Sequence, residues 1–90
     1  MGGNAVSEKY YIGLIEERNG ERDYTHHVFY TAPNFKEACA RHTEMASDFY
    51  GEPYAVDTAL GEYDYGDVIV REGCVWEVSK ATYTEAGRHQ

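Results

Sequence analysis

An α+β fold is what the sequence predicts: an antiparallel sheet of three or four strands with one helix packed on one face, in the order ββαββ. Three observations carry that expectation. Asn19-Gly20 lies between two runs of strand-forming residues, the strongest short-range hairpin signal. A stretch of helical periodicity is fenced by Pro33 and Gly51. Glu72-Gly73 separates Val68-Ile69-Val70 from Val75-Trp76-Glu77-Val78, which reads as a second hairpin.

The first strand is expected over 9–17, where Tyr10-Tyr11-Ile12-Gly13-Leu14-Ile15 is rich in β-formers, and its return over about 22–31. With Asn19-Gly20 as a two-residue turn, Glu17 faces Arg22, Ile15 faces Tyr24, Ile12 faces His27 and Tyr10 faces Phe29. Period-two alternation sorts the hairpin into two faces. One carries Tyr10, Ile12, Leu14, Thr25, His27 and Phe29; the other carries Tyr11, Gly13, Ile15, Tyr24, His26, Val28 and Tyr30. The Ile12, Leu14 and Phe29 face is the expected seat of the helix. That leaves the Tyr-rich face as an interface, because a soluble monomer seldom leaves such a patch unused.

Asn34, three residues before Glu37, is the expected N-cap of a helix over 35–50. Phe35, Ala38, Cys39, His42, Met45, Ala46 and Phe49 form its apolar stripe at i, i+3, i+4 spacing. Gly51 suits the position after the helix, and Pro53 prevents it from resuming. Residues 51–67 show no period and read as a loop. In the second hairpin Val70 pairs with Val75 and Ile69 with Trp76. A single domain over 9–83 results, with a flexible arm over 1–8 and a polar tail over 84–90 that frays.

Composition bounds the function. Sixteen acidic residues against eight basic ones give a net charge of −8. Val, Ile, Leu and Phe contribute only 15 of 90 residues, a content more usual in disordered chains, but nine Tyr and one Trp bury large area while keeping a polar edge. A large enzyme with a deep site is excluded, as is a basic protein reading nucleic-acid phosphates directly. No apolar run approaches membrane-span length. Met1 to Ser7 lacks the basic and apolar regions of a signal peptide, and Val6 stands where a myristoylation motif needs Ser or Thr. Cys39 and Cys74 do not make a disulfide framework, so two buried thiols in a reducing, cytoplasmic setting are expected.

The catalytic inventory is thin: no phosphate-binding glycine loop, no nucleophile elbow and no His-Glu-x-x-His. His26 and His27 are adjacent on a strand and point to opposite faces, so they do not chelate together. His42 on the helix stripe reads as a packed core-edge histidine, and Cys39 beside it as packing rather than a nucleophile. Asp57, Glu62, Asp64 and Asp67 lack the spacing of a calcium loop. No cofactor, metal or catalytic residue is assigned.

The surface carries more information. Glu16, Glu17, Glu21 and Asp23 surround the first hairpin tip beside Tyr24. Glu52, Asp57, Glu62, Asp64 and Asp67 thread the loop, interleaved with Tyr54, Tyr63 and Tyr65. Acids interleaved with tyrosines complement a groove lined by Arg and Lys, with charge attraction steering the encounter. Glu16, Glu17, Glu21, Asp23, Glu62, Asp64 and Asp67 are the expected charges, and Tyr24, Tyr63 and Tyr65 the expected anchors. The segment from Tyr11 to His26, with Phe49-Tyr50-Gly51-Glu52, resembles small acidic proteins of phages and mobile elements in size, charge and layout. Some of these are anti-CRISPR inhibitors. The resemblance implies a cytoplasmic, non-enzymatic protein that blocks a basic nucleic-acid-binding site on a Cas effector or another nucleic-acid-handling complex, without binding nucleic acid itself. The alternative is a small homodimeric module that binds a protein or small ligand through its Tyr-rich sheet face.

Overall fold

The computed structural model describes residues 8–88. The arm expected over 1–8 lies, apart from Glu8, outside them, as do the last two residues of the expected tail. The chain is α+β, and its described residues form one antiparallel five-stranded sheet and two helices. β1 (Lys9–Asn19) and β2 (Arg22–Ala32) form the first hairpin, and α1 (Phe35–Ser47) follows. β3 (Ala55–Asp57) and β4 (Glu62–Asp64) form a short second hairpin. β5 (Val68–Val78) then runs antiparallel to β1, and α2 (Lys80–Gly87) ends the described chain. Across the sheet the order is β2-β1-β5-β4-β3.

The first hairpin forms where expected, two residues out of the expected register. Asn19 pairs with Arg22, so the turn is Gly20-Glu21. Gly20 has φ +65° while no described non-glycine residue has a positive φ, which is the pattern of a type II′ turn. Asn19-Gly20 at the centre would call for a type I′ turn, with Asn19 at positive φ as well. Glu17 therefore faces Tyr24, Ile15 faces His26, Ile12 faces Phe29 and Tyr10 faces Thr31. A shift of two leaves every side chain on its expected face.

The second expected hairpin is absent. Val68 to Val78 is one continuous strand, and Val70 and Ile69 pair with Glu17 and Arg18 of β1 rather than with Val75 and Trp76. Gly73 has no positive φ and makes no turn. It lies instead at a β-bulge, where β5 carries one extra residue between the partners of Gly13 and Ile15. Two of the 51–67 residues' short segments, β3 and β4, pair with each other, and β4 pairs with β5. The tail expected to fray from residue 84 supplies part of α2, capped by the Ser79 hydroxyl on Thr82 N.

α1 covers the face opposite the expected one. Asn34 caps it as read, accepting from Glu37 N at 2.9 Å. Its inward stripe is short-sided, Ala38, His42 and Ala46, and packs on Tyr11, Ile15, Tyr30, Tyr63 and Val70. Small helix residues leave room for sheet tyrosines, whose hydroxyls then need polar partners. Gly13 supplies the decisive dent. A Cβ there would lie 2.6 Å from His42 Nδ1, so only glycine lets the imidazole reach the sheet. His42 is fully buried; Tyr30 OH and Leu14 O lie 2.7 and 2.8 Å from its two nitrogens. The Leu14 carbonyl can only accept, so Nε2 carries the proton and Nδ1 accepts from the Tyr30 hydroxyl. Leu14 has no β5 pairing partner at the bulge, and His42 takes its carbonyl instead. The helix ends at Ser47, and Phe35 and Met45 of the expected stripe are exposed. On the other face Tyr83 of α2 packs its ring against Tyr10 and Phe29, with centroids 5.0 and 5.5 Å apart.

Candidate functional site

Charge is divided very unevenly. Residues 16–23 and 48–67 hold ten of the sixteen carboxylates and two of the eight basic side chains, hence the whole net charge of −8. The remaining six acids and six bases cancel. Strand pairing sets the two segments side by side: Asn19 faces Val68, Glu16 faces Arg71, and Arg71 faces Glu62. One half of the sheet is therefore acidic and the other neutral, a division the topology makes.

Within that half the expected site residues separate into groups. Glu16 and Glu62 flank Arg71 at 3.9 and 3.6 Å, and Asp23 pairs with Arg18 at 3.1 Å. These pairs are largely solvated and contribute little to stability. Glu21 and Asp67 are exposed, as is Tyr24. Asp64 is half-buried and accepts from Gly66 N, shaping the turn into β5. Glu17, Tyr63 and Tyr65 serve the interior. Glu17 is buried and accepts from His26 Nε2 at 2.8 Å and from the Tyr50 hydroxyl at 2.7 Å. Tyr63 is buried and donates to Glu72 Oε1 at 2.8 Å. The Tyr65 hydroxyl donates to Ala46 O, tying the loop to α1. Of the three expected anchors, Tyr24 alone is exposed.

The acidic half presents two grooves on opposite faces of the sheet. One, of about 300 Å³, is lined by Glu16, Arg18, Asp23, Thr25, Glu62, Ile69 and Arg71 among others, and its charges are largely satisfied by one another. The other, of about 430 Å³, lies on the α1 face and is lined by Glu17, Asn19, Tyr50, Glu52, Tyr54, Tyr65, Asp67 and Val68. Among the described residues no basic side chain lines it. Tyr50 meets Tyr65 edge to face at 5.7 Å, and the Glu17 carboxylate, with burial, pushes the Tyr50 hydroxyl up to about 12, so it stays a donor. Tyr54 is almost wholly exposed, with its ring edge against Gly66. Aromatic walls with carboxylates suit a guanidinium or ammonium group, held by ring quadrupoles and charge together.

Asn19, Tyr50, Glu52, Tyr54 and Val68 line this second groove without being among the expected site residues, and of these Tyr50, Glu52 and Tyr54 carry the chemistry. The signal is present: Tyr50-Gly51-Glu52-Pro53-Tyr54 sets an acid between two tyrosines where the helix ends. Elsewhere the chemistry is sparse. Among the described residues no three His, Cys, Asp or Glu side chains converge as metal ligands. Cys39 is half-buried and Cys74, expected buried, is exposed on β5; both are free thiols. No helix among the described residues is long and apolar enough to cross a membrane. No family model, curated protein or solved structure matches the chain.

Proposed function

We propose that the chain is a non-enzymatic binding protein that seats its acidic, tyrosine-lined half on a basic surface of a partner protein. The observation that carries this is the confinement of the entire net charge to one half of the sheet, beside a groove with no basic lining residue. Such an end attracts an Arg- or Lys-rich surface over several ångströms before contact. Surfaces of that kind are the ones that hold nucleic acid, so occupancy by this protein competes with RNA or DNA. Blockade of a Cas effector, which the resemblance implies, is one case. The alternative that uses the Tyr-rich face loses support, because α1 buries Tyr11 and Tyr30 there.

An arginine-rich peptide is a defined probe. Titration of the protein with that peptide is expected to give binding that weakens from 50 to about 300 mM salt as the Debye length shortens. Glu52→Gln with Asp67→Asn, which leave the described ion pairs untouched, are expected to weaken it further. Affinity indifferent to both salt and these substitutions refutes the assignment. Competition between the protein and guide RNA for a Cas effector tests the narrower case.

A further inference from the structure

The sheet has two edges and treats them differently. The β3 edge is three residues long and ends at Asp57, whose carboxylate accepts from Ala59 N and Leu60 N as the chain turns away. The β2 edge runs eleven residues, with eleven consecutive pairs to β1 and no bulge. It has no proline, and from Tyr24 to Ala32 it has no Asp, Glu, Lys or Arg. Edges are normally blunted by such devices, because a row of open backbone groups recruits another strand. This one is left open among the described residues.

The pairing register says which groups are open. In a two-residue hairpin the residues flanking the turn, Asn19 and Arg22, form a hydrogen-bonded pair, and bonding alternates from there. The even-numbered residues of β2 thus bond to β1. Asp23, Thr25, His27, Phe29 and Thr31 direct their N–H and C=O groups outward. Of these groups, only the Thr31 carbonyl has a partner among the described residues, the Arg41 guanidinium.

We infer that β2 is a dimerisation edge, pairing antiparallel with β2 of a second copy about a two-fold axis at His27. That centre is the midpoint of the outward set, so it satisfies the most backbone groups. It matches Thr25 with Phe29 of the second copy and sets Arg22 opposite Ala32, with no like charges facing. Long-range charge favours the same arrangement. A parallel pairing would bring two ends of net −8 together. The antiparallel one separates them by about the length of β2, ~35 Å, several Debye lengths at physiological salt. The result is a ten-stranded sheet with an acidic end at either extremity. The proposed binding function does not depend on it, since a monomer has the same groove.

Sedimentation equilibrium across 1–100 μM tests the inference, with twice the 10.2 kDa chain mass expected for the dimer. His27→Pro removes the two N–H donors at the axis and is expected to weaken dimerisation about tenfold or more. His27→Lys and His27→Glu keep the backbone donors and place like charges across the axis, so each alone is expected to be monomeric. Mixed together, the two are expected to restore a dimer. These two variants stand should the proline variant not fold. A wild-type protein that is monomeric throughout overturns the inference, as does a dimer unaffected by the two charged variants.

Discussion

Gly13→Ala isolates the contact on which the seating of α1 depends. The added Cβ would stand 2.6 Å from His42 Nδ1, 2.7 Å from Cε1 and 3.1 Å from Tyr30 Cε2. Real Cβ contacts are not that short, and His42 is fully buried between sheet and helix, so the imidazole must move. Moving it strains or breaks the bonds from Tyr30 OH and to Leu14 O, leaving a buried hydroxyl and a bulge carbonyl short of partners. Overpacking costs about 1–3 kcal/mol and an unsatisfied buried group about 1–3 kcal/mol. The stiffer unfolded chain returns about 0.4–1 kcal/mol. The net is a loss of roughly 2–4 kcal/mol, which in a domain of this size lowers Tm by roughly 10–25 °C. Urea unfolding and a thermal scan by circular dichroism read both quantities. His42→Ala removes the obstacle, so the double variant is expected to be more stable than the sum of the two single losses by about 1–2 kcal/mol. A Gly13→Ala protein within 2 °C of wild type, or strict additivity in the cycle, refutes the packing argument.

Other outcomes follow from the same structure. Tyr30, Tyr50 and Tyr63 are each pushed up to about 12, Tyr30 and Tyr63 chiefly by burial and Tyr50 chiefly by its bond to Glu17. Their folded values lie above the unfolded value near 10, so the fold favours the neutral phenol. That stability is complete below pH 10 and is lost as pH rises from 10 to 12. Absorbance at 295 nm is expected to show these three ionising above pH 10 and together with unfolding; their ionisation at or below pH 10 with Tm unchanged refutes the reading. Tyr63→Phe removes the donor to Glu72 Oε1, and denaturant unfolding is expected to show a loss of about 1–3 kcal/mol. Exposed Cys74 is expected to react with a thiol reagent in the native protein well ahead of half-buried Cys39, as mass spectrometry after brief labelling would show; equal rates would contradict the placement.

Local signals in the chain are reliable where one physical term dominates. The Asn34 cap, the alternation of the first hairpin and the packed place of His42 on the helix stripe are each read from neighbours within a turn or from periodicity. The structure bears all three out. The Glu72-Gly73 reading failed because a glycine between two apolar runs marks a turn and a bulge equally well. The choice is made by what lies opposite, here the eleven-residue β1. Sorting by acid and Tyr content does not show that Glu17, Tyr63 and Tyr65 are held from the interior, Glu17 and Tyr65 within the groove lining and Tyr63 away from it. Their bonds to Tyr50, Glu72 and Ala46 come from residues remote in sequence.

The α+β class, the two faces of the first hairpin and the excess of acid are legible in the chain, because each depends on composition or on spacing of a few residues. Tertiary structure alone decided which face α1 covers, since that rests on Gly13 leaving room for a histidine twenty-nine positions later. It also gathered the whole net charge at one end, because β5 pairs with β1 and so sets 48–67 beside 16–23. Pairing over that separation is a property of the assembled sheet, and neither segment shows it alone.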